Sequence, residues 1–169
     1  MKYRYDIVIA GWIGLKHTID NASTREEELG HRYPKHFFRK CNEHRNNLIS
    51  QADISNVITE EKLIPLGEGG LYEGLWNVSV ELKKGFRINR YDIPLMQETV
   101  EVAESLDVNP YEIDSKGSYL IICEDGVDVV NRLIDKSIPA KIVGFVTKEL
   151  AKQIIRDDDI QCLDKPRKD

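Results

Sequence analysis

Residues 62–82, KLIPLGEGGLYEGLWNVSVEL, constrain this chain more than any other stretch. A short apolar run suited to a strand, Lys62 to Leu66, meets Gly67-Glu68-Gly69-Gly70, and a helical pattern follows at once. Leu71, Leu75, Val78 and Leu82 recur at i, i+4, i+7 and i+11, one apolar face of an amphipathic helix. Gly85 stands where a C-cap glycine would end it. Such a unit needs a sheet to pack on. Glycines at a helix start also uncover the first backbone N–H groups, and the helix dipole there favours an anion. Gly67, Glu68, Gly69 and Gly70 therefore read either as a phosphate cradle or as a tight structural turn. They are not a P-loop, because no Lys-Ser/Thr follows, and not a Gly-x-Gly-x-x-Gly fingerprint. Glu68 would repel phosphate unless a metal or helix N-terminus compensates.

The rest of the chain repeats the strand and helix theme. Asp6 to Ala10 predicts a strand, followed by a loop through Gly11 and Gly14. Thr18 to Leu29 predicts a helix with a Ser23/Glu26 capping box near its start, and Pro34 opens another. A short helix is expected after Gln51. FRINRYDI alternates as a strand with one covered face, and a helix is expected to start at Pro94. SYLIIC (118–123) reads as a buried strand, Gly126 to Lys136 as a helix, and AKIVGFVT (140–147) as the last strong strand. Asp157–Asp159 and the tail DKPRKD read as surface. About five strands interleaved with five or six helices, with no repeat or internal linker, give a single domain over 1–169. Residues 148–169 are expected to form a loosely packed tail. The class is α/β (α+β), with a mixed sheet covered by helices.

Composition narrows the function. With 24 Lys and Arg against 29 Asp and Glu, the net charge is −5, which argues against a nucleic-acid partner. The basic cluster Arg32–Arg45 is offset by Glu26 to Glu28 and Glu43, and reads as a solvated helix face. No apolar run approaches the ~20 residues a membrane helix needs, and the N-terminus lacks signal-peptide features. A cytoplasmic protein is the expectation. Cys41, Cys123 and Cys162 are odd in number and far apart, fitting reduced thiols. His31, His36, Cys41 and His44 invite a metal reading, but only Cys41 and His44 share a helix face, so no metal site is expected. Cys123, within LIIC, reads as a buried, inert thiol.

Four segments together resemble one superfamily. IVIAGWIGLKHT is similar to the strand and Gly-x-Ile-Gly-Leu-x-Gly-Thr loop of AIR synthase-related proteins, and EGGLYEGLW to their Glu-Gly-Gly helix start. IPLMQETVEVAESLDVNPYEIDSKGSYLII resembles the segment that ends in Ser-x-Gly and a buried strand; SIPAKIVGFVT resembles the closing strand. The order holds across residues 7–147, with the greatest likeness to the hydrogenase-maturation branch. Aminoimidazole ribonucleotide synthase, selenophosphate synthetase and thiamine-monophosphate kinase belong to the same superfamily.

The resemblance implies the C-terminal domain of such proteins: a single three-layer α/β/α sandwich, partly ferredoxin-like. It places the candidate ligand residues at Gly67, Glu68, Gly69, Gly70, Gly14, Thr18, Ser115 and Gly117. In the full-length family an N-terminal half supplies most ATP and metal ligands, and that half has no counterpart in these residues. The family's His-Asp-x-Thr/Ser before Glu-Gly-Gly is here Ile64, Pro65, Leu66 and Gly67, an apolar pair that cannot coordinate or titrate. His17 replaces the glycine before Thr18, and the tail lacks the terminal cysteine of the hydrogenase maturation enzyme. The expectation is a stand-alone, non-catalytic domain that binds a protein partner or small ligand, with no catalytic residue of its own. A homo-oligomer, or a protein replacing the N-terminal half, would be its partner. The alternative is half of an ATP-dependent maturation or phosphoryl-transfer enzyme, with ATP and Mg held only together with a separate ATP-binding subunit. A segment cut from a longer enzyme is a third reading.

Overall fold

A computed structural model describes residues 4–166. Seven strands form one mixed sheet in the order β2-β4-β1-β5-β3-β6-β7. The strands are β1 (Asp6–Ala10), β2 (Lys62–Pro65), β3 (Gly85–Asn89), β4 (Tyr119–Cys123), β5 (Ala140–Thr147), β6 (Lys152–Arg156) and β7 (Asp159–Cys162). The helices are α1 (Leu15–Thr24), α2 (Glu26–Leu29), α3 (Lys35–Glu43), α4 (Gln51–Val57), α5 (Gly70–Leu82), α6 (Gln97–Ser105) and α7 (Gly126–Asp135).

β1 sits between β4 and β5, antiparallel to both, and all five of its residues are buried. Its alternation divides the core. Ile7 and Ile9 point to the face covered by α5, with Leu71, Leu75 and Val78; Val8 and Ala10 point to the face of α4 and α7, with Ile54, Val129 and Leu133. Helices on both faces make the three layers. A third cluster joins Ala22 of α1, Leu29 of α2, and Phe38 and Cys41 of α3. β4, β1, β5 and β3 alternate in direction, the ferredoxin-like part of the sheet.

Several local expectations are corrected. The first helix starts at Leu15 behind Gly14, which has φ 68°, and it breaks at Arg25; Ser23 lies in its last turn and caps nothing. α5 ends on Lys83 in the left-handed region at φ 55°, not on Gly85, which instead opens β3. α6 starts at Gln97, three residues past Pro94. The expected loose tail is part of the sheet: β6 pairs in parallel with β3, Ile154 is 1% exposed, and Leu163 is buried among the α5-side core residues. Residues 167–169 of that tail lie outside the described residues. Among the described residues no helix is long and apolar enough to cross a membrane.

Candidate functional site

The eight candidate residues are distant in sequence, yet the fold brings their three loops together. Gly14 precedes α1, Gly67 to Gly70 precede or open α5, and Ser115 and Gly117 precede β4. The contacts between these loops show what the residues do. The Gly14 N–H donates to Ser115 Oγ at 2.7 Å, and the Ser115 hydroxyl donates to the Ile113 carbonyl at 3.0 Å. The Ser115 N–H donates to the Gly67 carbonyl at 3.0 Å, and the Gly70 N–H donates to that same oxygen at 3.0 Å. The Thr18 hydroxyl donates to the Gly14 carbonyl at 2.9 Å and lies 3.0 Å from the Thr99 hydroxyl. Ile49 N–H donates to the Gly117 carbonyl at 2.9 Å. Buried backbone groups must be paired. Here the pairs are made by the protein itself.

The glycines serve the same interlock. Gly70 has φ 72°, and a Cβ there would sit 2.5 Å from the Ile113 carbonyl oxygen and 2.9 Å from the Ile113 nitrogen. Its neighbour Tyr72 donates its N–H to the Tyr111 carbonyl at 3.0 Å. The close approach that requires glycine is therefore to the chain's own 111–113 loop. Gly67 differs, because a Cβ there would meet nothing within 4 Å. Glu68 is largely exposed and lies 3.4 Å from Lys116 Nζ, a surface pair of little energetic weight. His17 is half-buried beside this site, its N–H bonded to the Asp114 carbonyl at 3.1 Å and its Nδ1 buried without a partner among the described residues. Burial holds its imidazole below the usual pKa, against the opposing pull of Asp114.

ATP and a divalent cation fit this arrangement poorly. The Gly14, Gly70 and Ser115 N–H groups are already spent, and Ile64 and Pro65 form part of β2. Glu68 and Glu73 place carboxylates at the start of α5, and their charge opposes an anion there. Among the described residues, no group of three His, Cys, Asp or Glu is placed to hold a metal ion. In the earlier candidate cluster, Cys41 is fully buried with its thiol pushed up to about 11 by burial, and His44 faces Glu98 at 3.5 Å. His31 and His36 are exposed.

The other side of the α5 start is open. A cavity of about 540 Å³ lies between the first turn of α5, the 109–112 loop, and the chain leaving β7. Tyr72 and Glu73 line it from α5, and Glu112 and Asp164 from the other walls. Sequence reasoning passed over these residues. Only Glu73, one turn into a helix that begins with glycines, carried any local signal.

No protein-family model and no curated protein matches the chain. Solved structures match it in fold. A crystal structure of a HypE–HypF complex superposes with TM-score 0.70 at 17% identity, over 96% of this chain and 53% of that one. HypE from E. coli gives TM-score 0.70 at 16% identity, over 98% of this chain and 51% of that one. The fold is that of the AIR synthase-related C-terminal domain. Thiamine-monophosphate kinase from Stenotrophomonas maltophilia shares it, with TM-score 0.66 at 10% identity over 93% of this chain and 51% of that one. The chain thus spans about half the length of the structures it matches. Similarity at this level of identity carries the fold, and the seven-stranded sheet agrees with the α/β/α expectation.

Proposed function

We propose that this chain is a non-catalytic binding module built on the AIR synthase-related C-terminal fold, recognising a protein partner or a small ligand. The observation that carries the reading is the interlock of Gly14, Gly67, Gly70 and Ser115. The N–H groups of Gly14, Gly70 and Ser115 are bonded within and between three loops, which supports a structural use of this turn. Phosphoryl transfer depends on cationic groups and metal ions that neutralise developing charge, and the carboxylates of Glu68 and Glu73 work against it here. A protein partner is in keeping with the fold's appearance in a HypE–HypF complex. A homo-oligomer would serve equally, and a cytoplasmic setting suits a chain with no disulfide among the described residues.

A second reading rests on the half-length match, which includes a HypE structure in complex with ATP. In that reading the chain completes an ATP-dependent enzyme together with a separate ATP-binding domain. Thermal unfolding with ATP and Mg²⁺ separates the two. A ligand at a hundredfold excess over its Kd stabilises by about 2.7 kcal/mol. For a domain of this size that is a rise in Tm of several degrees. The binding-module reading expects no saturable rise for the chain alone, and in a mixture with an N-terminal-type ATP-binding domain no rise beyond that domain's own. A saturable rise in this chain's own unfolding transition in the mixture overturns it in favour of the second reading.

A further inference from the structure

The sheet ends in two unlike edges, β2 and β7. At β2 the Leu66 N–H donates to the Ser118 carbonyl at 3.1 Å, so by alternation Leu63 and Pro65 turn their backbone groups outward. Proline has no N–H to offer, and this edge is guarded. At β7 the Leu163 N–H donates to the Lys152 carbonyl at 2.8 Å, so Ile160 and Cys162 turn their backbone groups away from β6. All four residues of β7 are exposed, Ile160 by 53%, and the strand holds neither proline nor lysine. Such an edge is an open template for another strand.

Charge says which strand fits. The chain runs on from Cys162 to Pro166 without a turn or bend. One end of this segment is acidic, at Asp157–Asp159, and the other carries Lys165; Asp159 and Lys165 are both exposed. Asp159 stands three residues before Cys162 and Lys165 three after it. An antiparallel copy related by a two-fold axis at Cys162 therefore sets each Asp159 opposite the Lys165 of the other copy. In that register the outward groups of Cys162 meet those of its counterpart as a hydrogen-bonded pair. A register centred on Gln161 would instead set Asp158 opposite Asp164. Unlike charges directly across a pair of strands are favourable and like charges are not, so the segment is complementary to itself.

We infer that β7 pairs with β7 of a second copy of this chain, antiparallel about Cys162, so that the two sheets join into one. The pairing satisfies the outward backbone groups of Ile160 and Cys162 and makes two symmetric Asp159–Lys165 contacts. One pair of short strands is a small interface, so the dimer forms and dissociates with concentration. The inference rests on the binding-module reading and names the partner for it.

Sedimentation velocity of the whole chain over a concentration series, under reducing conditions, tests this directly. The parent should pass from monomer to dimer. Ile160→Pro removes an outward N–H and no bond to β6, and should abolish the dimer. Asp159→Lys sets like charges opposite one another at both ends of the pairing and should weaken it about tenfold. Adding Lys165→Asp to that variant should restore it, which a merely structural role for Asp159 would not allow. A short bismaleimide should trap the dimer through Cys162, the exposed cysteine, and Cys162→Ser should abolish the trapping. Circular dichroism melting should show every variant folded. A parent that stays monomeric at all concentrations overturns the inference, as does a dimer indifferent to Ile160→Pro or a double variant no tighter than Asp159→Lys. The binding-module reading then stands with another partner if ATP with Mg²⁺ leaves this chain's Tm unchanged, and falls if the Tm rises.

Discussion

The two sides of the α5 start make opposite use of the same helix terminus. Toward the 111–118 loop, backbone meets backbone, and Gly14, Gly67, Gly70 and Ser115 pair their polar groups internally. Toward the chain leaving β7, the wall is made of side chains, and among the described residues Glu73, Glu112 and Asp164 form no ion pair. Backbone groups at a buried junction have to be satisfied whatever the protein does, so glycines there record close packing. Charged side chains on an open wall are solvated and need no partner within the fold. A glycine-rich helix start is thus ambiguous until one knows what its N–H groups touch.

Substitutions can break this comparison. The largest effect is expected at Gly70. A Cβ there is both strained at φ 72° and pressed onto the Ile113 backbone. Gly70→Ala should therefore cost about 3 kcal/mol or more in urea unfolding, combining a left-handed penalty with overpacking. A near-neutral result would mean the junction is not closed. Gly67→Ala, with open space around its Cβ position, is the control and should change stability little.

Ser115→Ala comes next. It leaves the buried Gly14 N–H without its acceptor, an expected loss of about 1–3 kcal/mol. Chemical denaturation checks this, and hydrogen exchange at the Gly14 amide should accelerate in the variant. If Gly14 stays equally protected, Ser115 does not hold the loops together.

The smallest effect sharpens the comparison by pH. Burial lowers the His17 pKa below its ordinary 6.5. As pH falls past 6.5, the unfolded chain takes up this proton before the folded one does. The stability from keeping His17 neutral is therefore complete above that value and declines below it. His17→Gln should flatten the dependence of stability on pH between 7 and 5. An unchanged slope would place the titration elsewhere.

Much of the fold was legible because its signals are local. The spacing Leu71, Leu75, Val78, Leu82 gave α5 its length, and Phe86 and Ile88 alternating with Arg87 gave β3 its covered face. β6 and β7 were missed because KQIIR and DIQC are short and polar; β6 is a strand through its pairing with β3, and β7 through its pairing with β6. Gly85 was read as a helix stop because glycine favours that position, whereas Lys83 takes the left-handed conformation and Gly85 packs against the Ala151 backbone. Gly67 to Gly70 stand out as glycines at a helix start, while Gly14, Thr18, Ser115 and Gly117 come from the resemblance; the fold sets their loops side by side. Glu73, Glu112 and Asp164 lie too far apart in sequence for any motif to join them.

By itself, then, the sequence determined the layers: its apolar periodicities commit most segments up to Thr147 to strand or helix and to a buried face, and its glycines mark several of the turns. Tertiary structure alone decided what the Gly67–Gly70 turn does. A backbone N–H carries no sign of its partner in the sequence, and only the fold shows that the Gly70 N–H is bonded to the Gly67 carbonyl and that the same oxygen accepts from Ser115. The same packing decided which carboxylates share a cavity, because the sheet brings together positions that the chain keeps far apart.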